Sequence, residues 1–130
     1  MKYWLLVFVL LASCSFGPAP SADVSDSSVS VLASDLEVPW DVAVLPSGDY
    51  LVTERPGRVL LVDESVRTVS EVAVRDRGEG GLLGIVLHPD FVSNRYVYLY
   101  VTVESDDGTV NRVVRYVYGD GFVFDSVIID

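Results

Sequence analysis

The chain has 130 residues, half of them hydrophobic, with 9 Lys plus Arg against 19 Asp plus Glu and a formal net charge of −10. So acidic a chain is unsuited to nucleic acid, whose phosphates need clustered cations. A single cysteine excludes a disulfide within one chain.

Residues 1–13 read as a lipoprotein signal peptide. Lys2 precedes an unbroken apolar and aromatic run from Tyr3 to Leu11, too short to cross a bilayer as a permanent helix. The run closes in Leu11-Ala12-Ser13-Cys14, small residues leading to the only cysteine. Cys14 is therefore the expected lipidation site; an ordinary signal peptide with an incidental cysteine is the plainer alternative.

Residues 14–34 form a flexible tether, because their Ser, Ala, Pro, Gly and Asp bury too little surface to offset the entropy of ordering. The acidic domain would be repelled by an anionic membrane surface, so the lipid is the expected membrane partner. An exported protein follows, held at the outer face of the cell membrane or in the periplasm.

The remaining segment, residues 35–130, alternates short apolar stretches with turn residues and has no sustained helical periodicity. It is an all-β sequence. In chain order the pattern predicts strands over 41–45, 50–54, 59–62, 69–74, 82–87, 96–104, 111–118 and 121–128. Between them lie Pro46-Ser47-Gly48-Asp49, Arg55-Pro56-Gly57-Arg58, Asp106-Asp107-Gly108 and Gly119-Asp120-Gly121, which supply the fixed or positive φ of tight hairpins. Consecutive strands should pair as antiparallel meanders.

An internal repeat reinforces this order. Val42-Ala43-Val44-Leu45-Pro46, Tyr50-Leu51-Val52-Thr53 and Arg58-Val59-Leu60 match Ile85-Val86-Leu87-His88-Pro89, Tyr98-Leu99-Tyr100-Val101-Thr102 and Arg112-Val113-Val114. A repeat of that length, built of about four strands, is the signature of a propeller blade. A β-sandwich meander is the alternative, since it also has frequent turns. Two blades would leave sheet faces and edges open, and closed propellers typically hold about 4–8. Completion by further blades or self-association is therefore expected.

Several pieces then occur together: Val38-Pro39-Trp40-Asp41, Leu45-Pro46-Ser47-Gly48, Thr53-Glu54-Arg55-Pro56-Gly57-Arg58, Gly78-Glu79-Gly80-Gly81-Leu82-Leu83-Gly84, His88-Pro89-Asp90-Phe91, Asn94-Arg95-Tyr96-Val97-Tyr98 and Asn111-Arg112. In this order and spacing they resemble the opening of the glucose/sorbosone dehydrogenase family. The resemblance implies a six-bladed β-propeller, of which this chain holds about the first two blades. It also implies a sugar substrate, with pyrroloquinoline quinone (PQQ) and calcium bound in the complete fold and no cofactor bound by this segment alone.

In that family a histidine takes the proton from the anomeric hydroxyl while the quinone accepts a hydride. That histidine follows a later His-x-Gly-Gly-Arg motif, which is not found here, so no catalytic residue is expected in this chain and it should be inactive alone. A non-catalytic, surface-anchored binding propeller is the alternative function.

His88, the only histidine, precedes Pro89-Asp90-Phe91 at a strand end, where an imidazole serves to pin a turn. Glu79 is the expected substrate-binding residue, because the resemblance places it where glucose-oxidising members carry a glutamine that touches the sugar. An ionised carboxylate accepts hydrogen bonds from hydroxyls but cannot donate one, so a preference for glucose does not transfer. Gly78-Glu79-Gly80-Gly81 can also be read as a flexible loop with a solvated Glu79. No Lys-Ser or Lys-Thr follows these glycines to make a phosphate loop.

Trp40 reads as a packing residue and Arg55 as a turn or inter-blade ion pair. Asp106 and Asp107 lack the further oxygens of a calcium loop, so no metal ligand is expected.

Overall fold

A computed structural model describes residues 29–130. Cys14 and the expected signal peptide lie outside the described residues, as does most of the expected tether. The chain divides into two units, residues 1–30 and 31–130, and the second holds the folded domain.

The domain is two four-stranded antiparallel sheets, each a simple meander. The first contains β1 (Pro39–Val44), β2 (Tyr50–Glu54), β3 (Arg58–Val62) and β4 (Val66–Glu71). The second contains β5 (Leu82–Leu87), β6 (Tyr96–Ser105), β7 (Gly108–Tyr118) and β8 (Phe122–Ile129). One helical turn, α1 (Phe91–Asn94), stands between β5 and β6.

The period-2 pattern decides which side chains meet. Ala43, Leu51 and Leu61 are register partners across β1, β2 and β3, and Val59 stands opposite Thr53. In the second sheet Ile85, Leu99 and Val114 form the matching row. These residues belong to one core cluster with Leu45, Leu82, Val97, Val101, Phe91 and Tyr118. A fully buried Val or Leu contributes about 1.5–3 kcal/mol, so the two sheets stabilise each other through a shared interior.

The first strand runs over Pro39–Val44 rather than 41–45, and two strands differ more from the sequence pattern, each starting three residues early. The fourth was expected over 69–74, but β4 runs over Val66–Glu71. The Ser65 N–H donates to Asp63 Oδ1 at 2.9 Å and the Asp63 N–H to the Ser65 carbonyl at 3.1 Å, closing a tight turn that starts the strand early. Val72 and Val74, whose alternation suggested strand, follow β4 and pack on the core as partly buried residues.

Likewise β7 begins at Gly108 rather than Asn111, because Ser105 pairs with Gly108 across the Asp106-Asp107 turn, with Gly108 leaving the turn at φ 127°. The helical turn at Phe91 escaped the pattern because it is too short to show a period.

Candidate functional site

The first sheet meets β5 and the loop before it through Asp41 of β1, Thr53 of β2 and Arg55 just beyond β2. Thr53 is fully buried. Its hydroxyl donates to the Leu83 carbonyl at 2.6 Å and accepts from the Asp41 N–H at 3.1 Å. Asp41 Oδ2 in turn accepts from the Ile85 N–H at 2.9 Å. Side chains of the first sheet thus bind backbone groups of the second.

Arg55 extends this seam. Its carbonyl accepts from the Leu82 N–H at 2.8 Å, its Nη1 donates to the Gly78 carbonyl at 2.6 Å, and its Nε stands 3.0 Å from Asp76 Oδ1. The last contact lies off the N–H axis, so it is an ion pair rather than an aligned hydrogen bond. Of the turn or inter-blade ion pair expected of Arg55, the structure shows a pair with Asp76 in the segment joining the two sheets, with an added grip on the glycine loop.

That loop is closed by one residue of β6. The Arg75 N–H donates to the Thr102 carbonyl at 2.7 Å, and the Thr102 N–H donates to the Gly81 carbonyl at 2.8 Å. Inside the loop the Arg77 N–H reaches the Arg75 carbonyl and the Gly80 N–H the Arg77 carbonyl, each at 3.0 Å. Gly81, at φ 142°, lies where a Cβ would stand 2.4 Å from the Arg55 carbonyl oxygen. Only glycine suits that approach. The segment that could be read as a flexible loop is tied at both ends.

The loop borders an open cleft of about 420 Å³ lined by Arg75, Gly78, Glu79, Thr102, Thr109 and Asn111, among others. Glu79 is exposed on its rim. The Thr102 hydroxyl bonds Asn111 Oδ1 at 2.7 Å, and Arg75 Nη1 pairs with Glu104 at 2.5 Å. The cleft therefore offers a carboxylate, hydroxyls and an amide, the groups that recognise a polyhydroxyl ligand.

Of these residues only Glu79 was singled out from sequence as a site. Thr102 gave a signal as a polar residue in a run of Val and Tyr, and Asn111 as part of a recognisable Asn-Arg pair. Arg75 and Thr109 gave none.

His88 lies elsewhere, beside α1. Its Nδ1 accepts from the Asp90 N–H at 2.9 Å and faces the Asn94 amide nitrogen at 2.8 Å, while its ring stacks on Tyr98 with centroids 6.1 Å apart. These contacts pin the turn. Trp40, expected to pack, is instead 46% exposed on β1 and lies outside the core cluster.

The Glucose / Sorbosone dehydrogenase family profile matches residues 36–126. Over 118 residues the chain is 30% identical to the aldose sugar dehydrogenase YliI of Escherichia coli, covering 87% of this chain and 31% of that one. A Thermus thermophilus oxidoreductase described as a glucose dehydrogenase superposes with TM-score 0.71 at 46% identity, covering 76% of this chain and 31% of that one.

The PQQ-bound aldose sugar dehydrogenase of Streptomyces coelicolor gives TM-score 0.70 at 37% identity, covering 78% of this chain and 32% of that one. The chain spans about a third of the length of these three relatives. Two stacked antiparallel meanders, the glycine loop between them and the extent of the profile match agree: the chain belongs to the glucose/sorbosone dehydrogenase family.

Proposed function

We propose that this chain forms the opening two blades of a six-bladed, PQQ-dependent aldose sugar dehydrogenase, exported and anchored as a lipoprotein through Cys14. In this reading residues 1–13 are the signal peptide, 14–34 the tether and 35–130 the start of the propeller. The cleft beside the Gly78–Gly81 loop carries the reading, since a family member needs a place for sugar hydroxyls and Glu79 borders one.

In this reading the quinone and calcium call for the later blades as well as these residues. PQQ is a polyanion and calcium needs several converging oxygens, yet the Arg75 guanidinium is paired with Glu104. Among the described residues no three His, Cys, Asp or Glu side chains converge as a metal cage. Both groups would need the later blades. An ionised Glu79 suits neutral hydroxyls, which it can orient as an acceptor.

The test begins with the DNA beyond the Asp130 codon and the protein that contains the further blades. Supplied with PQQ and calcium, that protein should reduce a dye with an aldose, while the present chain alone should not. Glu79→Ala should raise KM about tenfold or more with a smaller change in kcat. An unchanged KM would remove Glu79 from the substrate site. A completed protein that binds sugar but never turns it over would instead be a non-catalytic binding propeller.

A further inference from the structure

We propose that Arg55 is the positioning residue for Glu79, a role that rests on the substrate-binding reading above. Glu79 sits in a loop whose two ends are tied to Thr102, but those bonds fix the ends and not the middle. The middle has its own turn bond, Gly80 N–H to the Arg77 carbonyl, and is also held from the first sheet. Arg55 Nη1 bonds the Gly78 carbonyl, the atom immediately before Glu79 in the backbone, at 2.6 Å. The same guanidinium pairs with Asp76, which also precedes Glu79 in the loop, at 3.0 Å.

One planar group thus holds two points on the approach to Glu79. A guanidinium suits this because its donors diverge in a fixed fork, so the spacing of Asp76 and the Gly78 carbonyl is set when both contacts form. The arginine side chain is 25% exposed and that of Asp76 32%, which leaves the pair less screened than a free surface pair. The arginine backbone is immobilised too, because its carbonyl receives the Leu82 N–H and its N–H donates to Val38 at 3.0 Å. Arg55 is therefore a fixed post rather than a swinging arm.

Gly78 adopts φ 61°, a left-handed conformation that turns the chain between Asp76 and Glu79. That turn is closed by the Gly80 N–H on the Arg77 carbonyl, and the Arg55 bond to the Gly78 carbonyl braces it. The carboxylate of Glu79 is then presented to the cleft, because the conformers in which the loop folds away would break the Arg55 bond.

Hydrogen exchange on the full chain, without sugar or cofactor, tests the clamp independently of activity. Arg55→Met keeps the aliphatic stem and loses charge and donors; Arg55→Lys keeps stem, charge and a donor. In the Met variant the amides of Arg77 and Gly80 should exchange about tenfold faster, with β3 and β7 unaffected, and the Lys variant should recover part of the protection, since an ammonium keeps the charge and a donor but not the fork.

Wild-type exchange in the Met variant would overturn the proposal. So would a Lys variant no better than Met, or uniform acceleration throughout both sheets, which assigns Arg55 to general stability. If the clamp is confirmed while Glu79→Ala leaves the completed enzyme's KM unchanged, the substrate reading fails and the clamp stands.

Discussion

The two sheets share a topology but divide the work at their junction. Strands of the first sheet hold 6, 5, 5 and 6 residues, those of the second 6, 10, 11 and 8. The short sheet contributes side chains to the seam: Asp41, Thr53 and the Arg55 guanidinium. The long sheet and its entry loop answer mainly with backbone, namely the Ile85 N–H and the carbonyls of Leu83 and Gly78, beside the Asp76 carboxylate. Recognition of backbone by side chain does not depend on which side chains the second sheet carries. The first sheet thus acts as a jig, and the second is free to vary the residues that line the cleft.

The strongest way to break this division is at the closest backbone approach. In Gly81→Ala a Cβ would meet the Arg55 carbonyl at 2.4 Å at a φ of 142°, so the sheets must part. A loss on the order of 3 kcal/mol is expected, read as a lower urea midpoint. Gly84→Ala is the control, as its nearest neighbour would be 3.6 Å away.

A smaller effect is expected at Thr53. Thr53→Val preserves shape but strands the Leu83 carbonyl and the Asp41 N–H, at a cost of about 1–3 kcal/mol. Thr53→Ser, which keeps the hydroxyl, should lose less. Equal losses in the two variants would mean that the methyl group, not the seam, matters at this position.

The smallest effect sharpens the comparison electrostatically. Each sheet has a carboxyl held below the ordinary carboxylate value. Asp63 is lowered chiefly by the Ser65 backbone N–H, and Asp125 by the Ser126 hydroxyl and then by Arg115. A group lowered in this way stabilises the fold above its unfolded value and loses that contribution as pH falls through its folded value. Both lie on the surface, so the change in stability is slight. In an NMR titration Arg115→Gln should move Asp125 back toward the ordinary value and leave Asp63 in place.

The alternation of apolar residues made most strands legible, since β2, β5 and β6 fall close to where period 2 puts them. It failed at Val72 and Val74 because packing on a core can impose alternation without a ladder partner. Glu79 was legible only through the company of its neighbours, since an acid between glycines has no chemistry peculiar to sugars. The partners of Arg55 were not legible at all. Asp76 and Gly78 come close only when the second sheet stacks on the first, and no local pattern encodes that stacking.

The closure of the glycine loop on both backbone groups of Thr102 bears on how such proteins diversify. A loop whose ends share one anchor residue can gain or lose residues between them without shifting the register of either sheet. The entropic cost of lengthening such a loop is small, about 0.6 kcal/mol per doubling. The segment between Arg75 and Gly81 is therefore a natural insertion point, where new ligand preferences can be tried while the scaffold stays as it is.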